Sequence, residues 1–168
     1  IPQISMVTVF FELGSLQEYI HKNNEYGILL PHLLKSKILL DTARGMNFLH
    51  TNSILHLDLK PDNLLVNSLY ADSACCVKIT DFGTSRFIQK INKDKGLGTP
   101  TYVAPESYQD IYGTPNDVYS FAITAWELFY AEEPYKDYKS IFEIKDHVLS
   151  GGRLDIDNTM PAEWKDVI

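Results

Sequence analysis

The sequence predicts a mainly α fold with one small β-hairpin, an α+β protein formed as a single domain over residues 1–168. Three observations predict this class. Apolar residues recur near the helical period in several segments, two short runs of strand-forming residues lie close together in the chain, and no repeat divides it. With 45% hydrophobic and 22% charged residues, 168 residues can bury one core.

The first third of the chain predicts one strand and two helices. The apolar run 6–11 favours the β conformation and predicts a short buried strand. Ser15 is a typical N-cap for a short helix that runs to about residue 22. A long helix is predicted from Pro31, a natural first-turn residue, to His50, because apolar residues recur there at helical spacing.

The rest of the chain predicts a hairpin followed by helices. Residues 64–66 and 77–79 are strand formers joined by a polar loop, which is typical of a β-hairpin. A hydrophobic helix is predicted from about Asn116–Asp117, and an amphipathic helix over 141–149. Asp117 has the residue type of an N-cap for its own helix.

Three motifs follow one another along the chain: HLDLKPDN at 56–63, DFG at 81–83 and APE at 104–106. Any one of them is weak, because Asp, Asn and Pro are ordinary turn residues. In this order and spacing they resemble the catalytic loop, the metal-binding turn and the end of the activation segment of the protein kinase family. The fold implied is the kinase fold, with only its large C-terminal lobe present.

The resemblance implies a site that transfers the γ-phosphate of ATP to a protein substrate with the help of Mg²⁺. Asp58 would orient the substrate hydroxyl and accept its proton, and Lys60 would reach the γ-phosphate. Asn63 and Asp81 would bind Mg²⁺ and so contribute to nucleotide binding. Asp117 would also hold the backbone of the catalytic loop, a role compatible with capping its own helix.

The same resemblance places the adenine of ATP. Residues 6–11 would enter the hinge between two lobes, with Thr8 as gatekeeper and the backbone of Val9 to Phe11 bonding the adenine. Leu65 would pack beneath the ring. A plain core strand and a core leucine are the alternative interpretations, since apolar residues are normally buried.

The activation segment would include Thr84, Ser85, Thr99 and Thr101. In serine/threonine kinases a Thr at the place of Thr99 bonds the catalytic Asp and Lys, and a Lys stands two residues after the Asp, as Lys60 does here. The resemblance is therefore to serine/threonine kinases, and most generally to their tyrosine-kinase-like subgroup.

Several features depart from the family pattern. Leu57 stands where the family usually has an Arg that binds a phosphate on the activation loop, so control through this residue is expected to be lost. By the resemblance, His56 and Phe82 would be spine residues that stack the catalytic loop on the helix starting near Asn116–Asp117, and neither is expected to do acid–base chemistry. Glu106 is expected to be a buried carboxylate without the Arg that normally pairs with it, which would destabilise the lobe.

The sequence contains no Gly-rich loop, strand Lys or helix Glu of a small lobe before residue 55, and no final helices of the family. We therefore expect a fragment with little activity alone. The alternative is a non-catalytic docking or regulatory module. Against it, a docking module has no mechanistic need for the complete set Asp58, Asn63 and Asp81.

Composition limits the partners and the compartment. A net charge of −7 without a basic tract argues against nucleic acid as a partner. No apolar run approaches the roughly 20 residues that cross a bilayer, so no membrane segment is predicted. Adjacent Cys75 and Cys76 do not suit a disulfide and favour a reducing compartment, the cytoplasm or the cytoplasmic part of a membrane-bound parent. The oligomeric state is not predicted.

Overall fold

The computed structural model describes residues 7–25, 30–91 and 97–168. In these ranges the chain forms five α-helices, four short β-strands and several single 3₁₀ turns. The helices are α1 (Leu16–Glu25), α2 (His32–Thr51), α3 (Thr114–Tyr130), α4 (Ile141–Leu149) and α5 (Ala162–Lys165); the strands are β1 (Ile54–Leu55), β2 (Leu64–Val66), β3 (Val77–Ile79) and β4 (Arg86–Phe87). The predicted mainly α fold with a small hairpin is confirmed.

Strands β2 and β3 form the predicted hairpin. They pair antiparallel with Leu64 opposite Ile79 and Leu65 opposite Lys78. A second antiparallel pair joins β1 to β4, with Leu55 opposite Arg86. The sequence did not predict this pair, because strands of two residues are too short to show a periodic pattern.

The predicted buried strand at residues 6–11 is wrong for its described part. Residues 7–11 form no strand, and the side chains of Val9 and Phe10 are 72% and 83% exposed. Met6 lies outside the described residues. No strand of the described ranges pairs with this segment, so its β-forming residues have no ladder to join and no sheet face to bury.

The first two helices begin where the sequence predicts. The Ser15 hydroxyl accepts a hydrogen bond from the Glu18 amide at 3.4 Å, at the start of α1. That helix continues to Glu25, beyond the predicted end near residue 22, because Asn is only a weak helix breaker. Helix α2 follows Pro31 and ends at Thr51, as predicted to within a residue.

The main core lies between α1, α2, the β2–β3 hairpin and α3. Leu16, Leu39, Leu64 and Leu128, one from each of these elements, are fully buried in it. A smaller cluster joins the 3₁₀ turn Pro100–Tyr102 to α3 and α4. The loops that leave the central helices therefore start from a rigid base.

In the ranges that the structure describes, we find no helix with the length and apolar character needed to cross a membrane.

Candidate active site

The catalytic-loop motif is held by Asp117 from α3. Its buried carboxylate accepts hydrogen bonds from the backbone amides of His56 at 2.9 Å and Leu57 at 2.8 Å. His50 Nε2, at the end of α2, lies 2.8 Å from the same carboxylate. The N-cap of α3 is instead Gly113, so of the two interpretations of Asp117 the geometry supports loop binding.

Leu57 has a strained backbone conformation, which its hydrogen bond to Asp117 helps to maintain. Its φ is +64°, a left-handed value that costs energy for a residue with a branched side chain, and its side chain is buried. Its carbonyl oxygen lies against Gly98, where a Cβ would sit only 2.6 Å away. Gly98 also has a positive φ of 92°. The catalytic loop and the activation segment therefore touch backbone to backbone at a glycine.

Asp58, Lys60 and Thr99 form one hydrogen-bonded cluster. Thr99 donates to Asp58 Oδ1 through its hydroxyl at 2.7 Å and through its amide at 2.9 Å. Lys60 Nζ donates to the Thr99 hydroxyl at 2.7 Å and lies 3.4 Å from Asp58 Oδ2. The cluster joins residues 41 positions apart and fixes the direction of the carboxylate.

Asn63 and Asp81 are brought to the same edge by the hairpin. The Asn63 amide group donates to the carbonyl of Asp58 at 2.8 Å and to Asp58 Oδ2 at 3.1 Å. The amide of Thr80 donates to the Asn63 carbonyl at 2.9 Å, which places Asp81 next in the chain beside this site. Asp81 is exposed, and its Oδ1 accepts from the Gly83 amide at 3.1 Å.

The donor set of this edge suits Mg²⁺. Because the Asn63 nitrogen is engaged by Asp58, its side-chain oxygen is the atom left to coordinate a cation. Asp81 contributes an exposed carboxylate on a turn with a left-handed φ of 56°. Amide and carboxylate oxygens are ligands that Mg²⁺ accepts, so these residues fit the ion.

His56 and Phe82 pack against each other, a contact that the sequence did not predict. Their rings meet edge to face, with centroids 5.6 Å apart. The His56 side chain is buried, and its Nε2 lies 2.9 Å from the carbonyl oxygen of Thr80. Phe82 is half exposed. His56 thus ties the catalytic loop to the residue before the DFG turn.

Two of the predicted adenine-binding residues share one edge of the hairpin. Leu65 points away from the core, since its neighbours Leu64 and Val66 are buried, and it pairs with Lys78. The Lys78 ammonium lies 5.9 Å from the centre of the Phe11 ring. Phe11 and Leu65 are therefore both near Lys78.

The outer part of that segment is open. Thr8 and Val9 are exposed, so the interpretation of Val9 as a core residue is wrong. Leu65 is half-buried, which leaves part of its side chain accessible. Phe11 and Leu65 therefore leave apolar surface partly accessible beside Lys78.

The start of the activation segment is fixed to the catalytic loop. The hydroxyls of Thr84 and Ser85 both donate to the His56 carbonyl, at 3.0 and 3.4 Å. Pairing of β4 with β1 extends this attachment. Thr101 lies half-buried in the turn Pro100–Tyr102.

Glu127 is a further buried carboxylate, and the sequence did not reveal it. It is fully buried in α3 and accepts a hydrogen bond from the Tyr102 hydroxyl at 2.5 Å, while His21 Nε2 lies 3.6 Å away. Burial raises the pKa of Glu127 and that of Tyr102. The only signal was a Glu inside the otherwise apolar run of that helix.

Glu106, by contrast, is half-buried, so the expectation of a buried carboxylate there is wrong. It lies in the 3₁₀ turn Pro105–Gln109, whose side chains still reach solvent in part. A partly hydrated carboxylate needs no ion partner, so the predicted destabilisation does not follow.

Comparison with known proteins agrees with this geometry. A family model for protein tyrosine and serine/threonine kinases matches residues 2–168. The dual specificity protein kinase shkB of Dictyostelium discoideum is 36% identical over 98% of the chain, and a probable serine/threonine-protein kinase of that organism, gdt4, is 40% identical over 89%.

The receptor-interacting serine/threonine-protein kinase 4 of Mus musculus is 35% identical over 91% of the chain. The chain spans 25%, 9% and 20% of the lengths of these three relatives. Family model, identities and the arrangement of the three motifs agree: the chain belongs to the protein tyrosine and serine/threonine kinase family.

Proposed function

We propose that residues 1–168 belong to one kinase domain and form the catalytic lobe of an ATP-dependent protein serine/threonine kinase of the tyrosine-kinase-like type. Protein kinases use ATP and Mg²⁺ and act on protein substrates. The observation that carries the proposal is the cluster of Asp58, Lys60 and Thr99, in which a carboxylate and a cation are held together by one hydroxyl.

Asp58 is the residue that orients the substrate hydroxyl. Its Oδ1 is taken by the two donors of Thr99, and its Oδ2 faces Lys60 and Asn63. A carboxylate fixed on both sides loses little freedom when the substrate arrives, which is the main catalytic contribution in phosphoryl transfer. It accepts the hydroxyl proton as the new bond forms.

Lys60 supplies positive charge at the same place. Its side chain is mostly buried, and the ammonium is directed by its hydrogen bond to the Thr99 hydroxyl. A cation in a partly desolvated site stabilises the charge that develops on the transferred phosphoryl group more strongly than it does in water.

Asn63 and Asp81 would hold Mg²⁺. When bound, the ion neutralises negative charge on the phosphate oxygens. Asn63 has a second task, because its hydrogen bonds to Asp58 couple the proposed metal site to the catalytic carboxylate. Phe11 and Leu65, with the backbone at Val9, would bind the adenine.

The bonds of Thr99 support a serine or threonine acceptor on the protein substrate, with Thr84, Ser85 and Thr101 in the same activation segment. We place the kinase in the cytoplasm, or in the cytoplasmic part of a membrane-bound parent. The support is that Cys75 and Cys76 are both free thiols.

The test is Asp58→Asn in the full-length protein. We expect transfer of phosphate from ATP to casein to fall by about 10²–10⁴-fold, the usual contribution of a positioned acid–base group. Affinity for Mg·ATP, measured by calorimetry, should change by less than about twofold, because Asp58 meets the acceptor rather than the nucleotide. Asp72→Asn, an exposed carboxylate in the hairpin loop, is the matched control.

Full turnover by the Asp58→Asn protein would show that Asp58 does not orient the substrate hydroxyl. A wild-type protein that neither binds Mg·ATP nor turns over would instead support a docking module.

A further inference from the structure

A cavity of about 470 Å³ lies on a different part of the lobe, between the start of α2, the end of α3 and the chain at 159–160. Its walls are largely apolar, with a few polar groups among them. The lining residues are Leu30, Pro31, His32, Lys35, Phe129, Tyr130, Thr159 and Met160. This mixture is typical of a site for a small molecule.

Lys35 is the unusual member of the lining. The residue is only 4% exposed, although Lys is almost never fully buried unless it is paired. Its ammonium donates to the carbonyl oxygen of Phe129 at 2.9 Å and lies 5.6 Å from the centre of the Phe129 ring. Among the residues that the structure describes, no carboxylate forms an ion pair with it.

An ammonium has three donors, and a neutral carbonyl compensates its charge only in part. Burial lowers the pKa of Lys35, because desolvation disfavours the charged ammonium. An anion inside the cavity would supply that charge and accept the remaining donors. Charge-assisted hydrogen bonds of this kind are stronger than neutral ones.

The neighbouring groups favour an anion that carries an apolar part. Pro31 and Met160 offer apolar surface next to the ammonium, and the His32 ring packs on Phe129 with centroids 5.9 Å apart. Asp157 lies beside the lining and accepts hydrogen bonds from the hydroxyls of Tyr130 and Thr159.

We propose that this cavity binds a small organic carboxylate, with the Lys35 ammonium on the carboxylate and the apolar walls around a short aliphatic or aromatic group. The proposal goes beyond phosphoryl transfer, because Lys35 belongs neither to the Asp58 cluster nor to the Asn63–Asp81 edge. It assigns to the lobe a ligand site that is separate from catalysis.

The test compares acids with their neutral amides on the full-length protein. Calorimetry is run with hexanoate and benzoate, and then with hexanamide and benzamide, which have nearly the same shape without the charge. We expect at least one acid to bind about tenfold or more tightly than its amide, a typical effect of a charged hydrogen bond in a partly buried site. Equal affinities of acid and amide, or no binding of either acid, would overturn the proposal.

Variants then assign the effect to Lys35. Lys35→Met keeps the unbranched stem but removes the charge, and we expect it to lose acid binding by about tenfold or more. Lys35→Arg should retain part of the affinity. Lys139→Met removes an exposed charge outside the lining and should bind like the wild type. Unchanged acid binding by Lys35→Met would refute the site.

A measurement on the wild type decides the matter if the Met variant does not fold. The side-chain carbon next to the ammonium of Lys35 can be followed by NMR as benzoate is added. Binding at this place should move that resonance and raise the pKa of Lys35, since a carboxylate favours the charged form. A resonance that stays in place while benzoate binds would locate the ligand elsewhere and contradict the proposal.

Discussion

The catalytic loop and the edge formed by Phe11 and Leu65, which we propose binds adenine, differ sharply in how they are held. The loop contains a strained Leu57, and its backbone amides at His56 and Leu57 donate to the buried Asp117 of α3. His50 of α2 contacts the same carboxylate. At the edge, Val9 and Phe10 are mostly exposed and belong to no strand. The geometry of the candidate catalytic loop is therefore built into the core of this lobe, whereas the surface proposed to bind the adenine is not.

Replacing Asp117 should have the largest effect on this contrast. Asp117→Ala leaves the amides of His56 and Leu57 buried without an acceptor, and we expect a loss of about 4 kcal/mol in the free energy of unfolding. The measurement is urea unfolding, with the exposed Asp166→Ala as control. A loss below about 1 kcal/mol would mean that the loop holds its conformation without α3.

Alanine substitution at two glycines can distinguish the cost of a positive φ from the cost of steric crowding against the catalytic loop. Gly98 and Gly151 share a φ of 92°, but a Cβ at Gly98 meets the Leu57 carbonyl oxygen at 2.6 Å, whereas nothing lies within 4 Å of one at Gly151. Both Ala variants carry the same conformational penalty. We expect Gly98→Ala to be less stable than Gly151→Ala by about 2 kcal/mol, the cost of overpacking, in urea unfolding.

Equal losses in the two glycine variants would show that the catalytic loop can move away from residue 98. The contact between the Leu57 carbonyl and Gly98 would then be adjustable, and the loop would resemble the exposed segment at Val9 and Phe10 more than the core.

Glu127 extends the comparison to pH. Burial raises the pKa of Glu127 in the folded state. At pH values between the ordinary and the raised pKa, the folded protein therefore binds more protons than the unfolded one. The contribution of Glu127 to wild-type stability should fall as pH rises through that range. Glu127→Gln cannot titrate, so its stability relative to the wild type should increase with pH. His21 and Asp62 also act on this carboxylate and stay in place in both proteins.

Urea unfolding from acidic to neutral pH checks the trend, with the exposed Glu163→Gln as control. A stability difference between Glu127→Gln and the wild type that does not change with pH would contradict the raised pKa.

The smallest change in stability is expected at the exposed segment that contains Phe10. Phe10→Ser removes an exposed ring, so the free energy of unfolding should change by less than about 0.5 kcal/mol. Leu64→Ala, in the fully buried part of the hairpin, should cost about 2–5 kcal/mol in the same urea experiment. A large loss at Phe10 would show that the edge packs in solution.

The parts of the fold that the sequence predicted are those with a local signal. Pro31 marks the start of α2, and strand formers on both sides of a polar loop predict β2 and β3. The strands β1 and β4 have no such signal, since each exists only because the other lies beside it. At residues 7–11 the sequence predicts a strand that the structure does not contain, because an apolar β-forming segment is buried only if a partner strand is present.

The candidate site likewise contains residues that local motifs predict and residues that only the folded structure brings together. The motifs give the positions of Asp58, Asn63 and Asp81, and the hairpin explains why the latter two meet. Local pattern does not show that Thr99 bonds Asp58, because 41 positions separate them; only the family resemblance suggested it. The burial of Glu127 was not predictable either, since its partner Tyr102 comes from a distant turn.

The hydrogen bonds of Asp117 also constrain the order of folding. They join residues 60 and 61 positions apart, and closing so long a loop costs entropy before any contact compensates it. We expect the amides of His56 and Leu57 to gain protection in pulse-labelled hydrogen exchange together with α3, later than those of α2. On this view a newly made chain has helices and a hairpin first, and acquires the geometry of the candidate active site only in its last folding step.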